Sequence, residues 1–254
     1  MDLQLAGQVV LVTGGGQGIG LSIGNAFAAE GAAVAFNHNT SAEGARAAAA
    51  QVIANGGRAI AVEADISDQA AVEAMVEQVI NELGPIDVLV NNAAYTEPGR
   101  FLDMDPDSWQ RMVDVTVVGL MRVTQAVLRG MVERGSGSIV SLMGDSGRVG
   151  ESRLAAVATT RGSTSALMKS IAKEHGRNGV RANTVSLGLV QSPKFAHHTD
   201  NADDERMKRI VAMYPLGRVG QQADVPPLVL LLASPLASWI TGQVISINGG
   251  YSMV

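Results

Sequence analysis

The chain has 254 residues, 46% of them hydrophobic and only 17% charged, with a formal net charge of −5. That length suits one large α/β domain or two small ones, and an acidic balance with no basic run argues against nucleic acid as a partner. The absence of cysteine excludes disulfides and thiol-ligated metals.

The low charge content predicts surface hidden in subunit contacts. The first residues, with Asp2 and no basic n-region, do not read as a signal peptide, so a cytoplasmic protein is expected. No membrane span is expected either. The last 30 residues, Val225 to Val254, carry no charge, but Pro226, Pro227, Pro235, Gly242 and the Gly249–Gly250 pair interrupt them.

Along the chain, short β-branched runs alternate with longer helical patterns. Strands are predicted at 8–14, 32–37, 58–65, 86–92, 137–143, 180–186 and 242–249. Most are near-continuous apolar runs, as in parallel strands covered on both faces. Helices are predicted at about 18–30, 41–55, 68–83, 107–134, 152–176, 203–213 and 223–233. Ser41 and Ser67 are the expected N-caps, with Gly56–Gly57 and Gly84–Pro85 as stops. Repeated β–α alternation with right-handed crossovers implies an α/β fold, a doubly wound, Rossmann-type parallel sheet of seven strands with helices on both faces. No linker, repeat or composition break divides residues 1–254, which predicts one domain. Its least regular part, within 188–214, is the expected substrate loop or lid.

"TGGGQGIG", Thr13 to Gly20, follows the first strand and opens the first helix. Glycines there permit a tight turn and a close backbone approach to a pyrophosphate, which the helix N-terminus attracts. The spacing Thr-Gly-x-x-x-Gly-x-Gly resembles that of the short-chain dehydrogenase/reductase family. "ADIS" (64–67), "IDVLVNNAA" (86–94), "VRANTVSLG" (180–188), "YPLGRVG" (214–220) and "SWITGQVISINGG" (238–250) extend the resemblance over nearly the whole chain. It implies an NAD- or NADP-binding domain in which Gly14, Gly16, Gln17, Gly18 and Ile19 line the phosphates. Asp65 and Ile66 would then contact adenine, with Asn92, Ala93 and Ala94 on the ribose side. NAD users usually place an acid at the end of the second strand. His38 stands there, so NADP is slightly favoured, although no Arg or Lys is adjacent to attract its 2′-phosphate.

The same resemblance implies four catalytic positions: a Tyr acid/base, a Lys one helical turn later, a Ser that polarises the carbonyl and an Asn that supports a water. Counting from the flanking matches, these fall on Val157, Arg161, Gly144 and Thr116. Valine has no proton to give, glycine has no hydroxyl, and arginine cannot replace an ammonium group or act as a base. No residue is therefore assigned as catalytic. Asp145, Ser146 and Tyr95 remain weak candidates for rebuilt acid/base chemistry, and no metal site is predicted. His197 and His198 are adjacent, so their side chains diverge, and His38 and His175 form no ligand pattern.

Helices 116–132 and 154–172, the former apolar around most of its circumference and the latter dominated by small residues, are of the kind buried in cores or interfaces. In the family they form a dimer bundle. The leading expectation is a subunit that assembles with a catalytically complete relative, within an NAD(P)-dependent alcohol/ketone oxidoreductase. A divergent enzyme on the same fold (a rebuilt dehydrogenase, a lyase or an isomerase) and a nucleotide-sensing protein are the alternatives.

Overall fold

The computed structural model describes residues 2–191 and 205–254. Seven strands, β1 (Val9–Val12), β2 (Ala33–His38), β3 (Ala59–Glu63), β4 (Val88–Asn91), β5 (Gly137–Gly144), β6 (Val180–Leu187) and β7 (Val244–Ile247), form one sheet in the order β3-β2-β1-β4-β5-β6-β7. Every pairing is parallel. The expected doubly wound sheet is therefore present.

Successive residues of β1 explain why its run is apolar throughout. Val10 and Val12 enter one core with Phe27, Phe36 and Val229, whereas Val9 and Leu11 enter a second with Val79, Val127 and Met168. Side chains alternate across a strand, so a sheet covered on both faces leaves no polar side. Helices α1 (Gly18–Ala29) and α2 (Ala42–Ala54) lie over the first core; α3 (Gln69–Leu83), α5 (Leu120–Arg134) and α7 (Ala155–His175) lie over the second.

The structure corrects several predicted boundaries. The long helix expected at 107–134 is α4 (Pro106–Val113), a π-helical turn over Asp114–Gly119, and then α5. Its length and composition would allow a membrane crossing, but Val123, Val127 and Met131 are spent in the second core. A short helix, α6 (Ser146–Val149), was not predicted. Ser67 does not cap α3. Asp68 does, accepting the Ala71 N–H at 2.9 Å, while Ser67 donates to Asp65 at 2.6 Å. Ser41 makes no side-chain capping bond. Helices α8 (Glu205–Ala212) and α9 (Pro226–Ala233) end the helical series. The latter starts on two prolines, at positions where no N–H donor is needed. The uncharged tail ends as β7, an edge strand. Residues 192–204, with His197, His198 and much of the expected substrate loop, lie outside the described residues.

Helix α1 packs closely against β2. A Cβ on Gly24 would stand 2.2 Å from Cε1 of the buried Phe36 ring. Gly24→Ala is expected to cost about 1–3 kcal/mol in a urea unfolding curve, as overpacked cores do; an unchanged midpoint would show that the ring yields freely.

Candidate functional site

At the carboxyl end of the sheet lies a cavity of about 620 Å³. The turn after β1 supplies Gly14, Gln17, Gly18 and Ile19, and the end of β2 supplies Asn37, Asn39, Thr40 and Ser41. Asp65 and Ile66 follow β3, Asn92 to Tyr95 follow β4, and Arg111, Asp114 and Val115 come from α4 and the π turn.

The local sequence explains the shape. Gly14 and Gly18 have φ of +62° and +57°, conformations that cost residues with a Cβ. Thr13 Oγ1 accepts the N–H groups of Asn92 and Ala93, at 3.0 and 3.1 Å. The Asn92 side chain returns donors to the carbonyls of Thr13 and Gly14, at 2.9 and 3.1 Å. Helix α1 has no side-chain N-cap and no acid in its first turn, so its first N–H groups and the positive end of its dipole are left for an anion. The residues fit the pyrophosphate of NAD or NADP.

At the other end of the cavity, Asp65 accepts from Asn39 Nδ2 (2.8 Å), Ser67 N (2.8 Å) and Ser67 Oγ (2.6 Å). Burial works against its charge, but the bonds from Ser67 and Asn39, with the Arg111 charge, hold its carboxyl below the usual range. Its ionised form therefore lasts to lower pH than that of a free aspartate.

Gly14, Gln17, Gly18, Ile19, Asp65, Ile66, Asn92, Ala93 and Ala94 all line the cavity. Gly16 and His38 are not among its walls. Gly16 packs against Ser41. His38 is buried with Nδ1 unpartnered, because alternate residues of a strand face opposite sides. Asn37 and Asn39 face the cavity instead, and period-two alternation in "FNHN" was the signal for them. Asn37 Oδ1 also accepts the Gly14 N–H at 3.2 Å. Arg111 and Asp114 carried no such signal, being brought in from a distant helix.

The positions aligned with catalytic groups lie beside the helices that close this region. Buried Thr116 accepts the Tyr95 N–H (3.2 Å) and donates to the Tyr95 carbonyl (3.1 Å), so its hydroxyl is committed. Val157 is buried with Met112 and Ala156, and Tyr95, Met104 and Leu154 pack on them. A Cβ on Gly144 would meet only Ser146 Oγ, at 3.5 Å, so a side chain there has room. Burial lowers the Arg161 guanidinium to a pKa of about 10, and no hydrogen bond or ion pair to it is present among the described residues.

Two of the three weak acid/base candidates, Asp145 and Tyr95, are otherwise engaged. Asp145 is 2% exposed and accepts from Ser186 Oγ, Asn248 Nδ2 and Ser252 Oγ. From the same loop Arg148 donates to Ser246 Oγ and the Val254 carbonyl. The segment thus fastens β6, β7 and the tail. Ser146 is buried at the start of α6. Tyr95 Oη donates to Glu97 at 3.0 Å, and the Arg111 guanidinium sits 4.4 Å from the centroid of its ring. Among the described residues no group of three or more His, Asp or Glu could hold a metal ion.

Two stability measurements follow from these contacts. Arg161 has a depressed folded-state pKa, so its charge penalises folding in full at pH below about 10, and the penalty is relieved only gradually as pH rises beyond that value toward the pKa of the unfolded chain. Arg161→Met is accordingly expected to raise stability by about 1–3 kcal/mol at neutral pH; a loss would reveal a counter-charge. Asp145→Ala strands three donors and is expected to cost about 2–4 kcal/mol, read as a lower denaturation midpoint.

Residues 14–252 match a family model described as enoyl-(acyl carrier protein) reductase. A 3-oxoacyl-[acyl-carrier-protein] reductase of Staphylococcus aureus is 35% identical over 243 residues, 96% of this chain and 97% of the relative. An uncharacterised oxidoreductase of Methylorubrum extorquens is 36% identical over 247 residues, 97% and 98% of the two chains. Among solved structures, a gluconate 5-dehydrogenase from Burkholderia cenocepacia, in complex with NADP and tartrate, superposes with a TM-score of 0.91 at 29% identity. That match covers 98% of this chain and 97% of the neighbour.

Proposed function

The chain belongs to the short-chain dehydrogenase/reductase family, and from that premise we propose that it is an NADP-binding, catalytically degenerate subunit of a heteromeric oxidoreductase acting on a secondary alcohol or ketone. In this reading residues 1–254 form one dinucleotide-binding domain of a cytoplasmic assembly.

One observation carries the proposal. Where an acid/base tyrosine is expected by resemblance, buried Val157 packs among Met112, Met104 and the Tyr95 ring. A nicotinamide supplies or takes the hydride when bound, but the accompanying proton needs a protein group. Loss of such a group costs about 10²–10⁴-fold. Asp145 and Tyr95, two of the three polar candidates, are bound to other residues.

The cofactor choice rests on the end of β2, where Asn37, Asn39, Thr40 and Ser41 line the cavity and no acid of that segment does. NADP in the gluconate 5-dehydrogenase neighbour agrees with it. Assembly is supported by the surface. Met121 of α5 is 52% exposed, Trp239 is 98% exposed and Met253 is 81% exposed, while Ala155, Thr159 and Ala166 leave α7 a shallow outer face. Exposed apolar side chains and an open edge strand each suit a partner.

The reading is tested with the protein purified alone and assayed with NADPH against 3-oxoacyl thioesters and keto sugar acids, the chemistries of its relatives. No turnover is expected from it alone, and a mixed oligomer with a complete relative is expected from its native cells. The combined variant Thr116→Asn, Gly144→Ser, Val157→Tyr, Arg161→Lys is expected to raise the rate about 10²-fold or more. A purely homomeric protein that turns over unaided would overturn the proposal.

A further inference from the structure

The turn that follows β3 lines the nucleotide cavity with Asp65, Ile66 and Ser67. Within it the Asp68 N–H bonds to the Asp65 carbonyl at 3.0 Å, and the Asp65 carboxylate accepts both the N–H and the hydroxyl of Ser67. Two supports reach it from outside. Asn39, beyond the end of β2, donates to Asp65 at 2.8 Å. Arg122 of α5, 55 residues along the chain, donates through Nη1 to the Ser67 carbonyl. No other hydrogen bond to that carbonyl is present among the described residues.

The start of α5 also presses on the middle of the turn. Ile66 is 5% exposed, and a Cβ on Gly119 would lie 2.8 Å from its Cγ1 and 3.1 Å from its carbonyl oxygen. Gly119 ends the π-helical turn whose first residues, Asp114 and Val115, line the cavity. Such turns are frequent at functional sites. One segment, Asp114 to Arg122, thus forms part of the wall directly and holds another part through Gly119 and Arg122. Arg122 itself is not among the lining residues.

We propose that Arg122 is a positioning residue for the nucleobase end of the cavity, acting on the base through Ser67 and Asp65 without touching it. The inference rests on the reading of the cavity as a dinucleotide site, in which the N-terminus of α1 takes the phosphates and Asp65 and Ile66 meet the adenine. A guanidinium donating to a carbonyl makes a charge-assisted bond. It fixes the backbone of Ser67, whose N–H and hydroxyl in turn hold the Asp65 carboxylate.

Calorimetric titration of the intact protein with NADP+, ADP and inorganic pyrophosphate tests this without any turnover. Pyrophosphate reads the phosphate cradle alone, and ADP reads the cradle together with the base wall. Wild type is expected to bind ADP more tightly than pyrophosphate. Arg122→Met should weaken ADP and NADP+ by about 5–30-fold, part of the worth of one charge-assisted bond, and leave pyrophosphate within about twofold. Arg122→Lys, which keeps a charged donor, should recover part of that loss. Arg122→Gln replaces the methionine variant, with the same expectation, should that one fail to fold. Equal weakening of pyrophosphate and ADP, no weakening of ADP, or no recovery with lysine would overturn the inference. So would a wild type that binds ADP no more tightly than pyrophosphate, with the phosphate cradle still a site. A wild type that binds none of the three would overturn the reading of the cavity as well.

Discussion

Only a hydrogen atom fits on the inner side of Gly20. A Cβ there would lie 2.4 Å from both the Gly14 carbonyl oxygen and the Asn92 amide nitrogen. That contact brings the start of α1 down onto the turn after β1, and Asn92 and Thr13 lock the same turn to the one after β4. The cradle for an anion, the cavity mouth and the direction of the α1 dipole all depend on it. Glycine elsewhere in the helix costs stability, and here the absence of a side chain is what allows three segments to meet.

The other half of the carboxyl edge is organised differently. Asp145 gathers donors from β6, the end of β7 and the tail, and Arg148 reaches Ser246 and the last carbonyl. The loop that would present a catalytic hydroxyl in the family is here a fastening for the C-terminus. Val157 belongs to a separate apolar cluster with Met112 and Ala156. The molecule as proposed keeps the nucleotide half of an oxidoreductase and turns the reacting half into packing. Arg161 is the exception, a half-buried charge with no ion-pair partner among the described residues.

Much of this was legible in the residues. Apolar runs of four to eight, separated by helical periodicity, marked seven strands within a few residues of their observed limits. The glycine turn was recognisable because its physical requirement, positive φ and close approach, is local. Boundaries failed where local chemistry had rivals. Asp68 rather than Ser67 caps α3 because Ser67 is already bound to Asp65. The helix after β4 breaks into a π turn, which the apolar pattern does not register. His38 holds the position after Asn37, but the pleat sends it away from the cavity.

By itself the sequence determined the sheet, its parallel sense and the nucleotide turn, because each depends on residue type and short spacing. Only the tertiary structure decided that Arg111 joins the nucleotide wall, that Asp145 is bonded to the tail, and that Arg161 has no counter-charge among the described residues. Those outcomes depend on segments 40 to more than 100 residues apart meeting at one edge of the sheet. No periodicity in a single segment encodes such a meeting, since the partners are chosen by crossover geometry and burial.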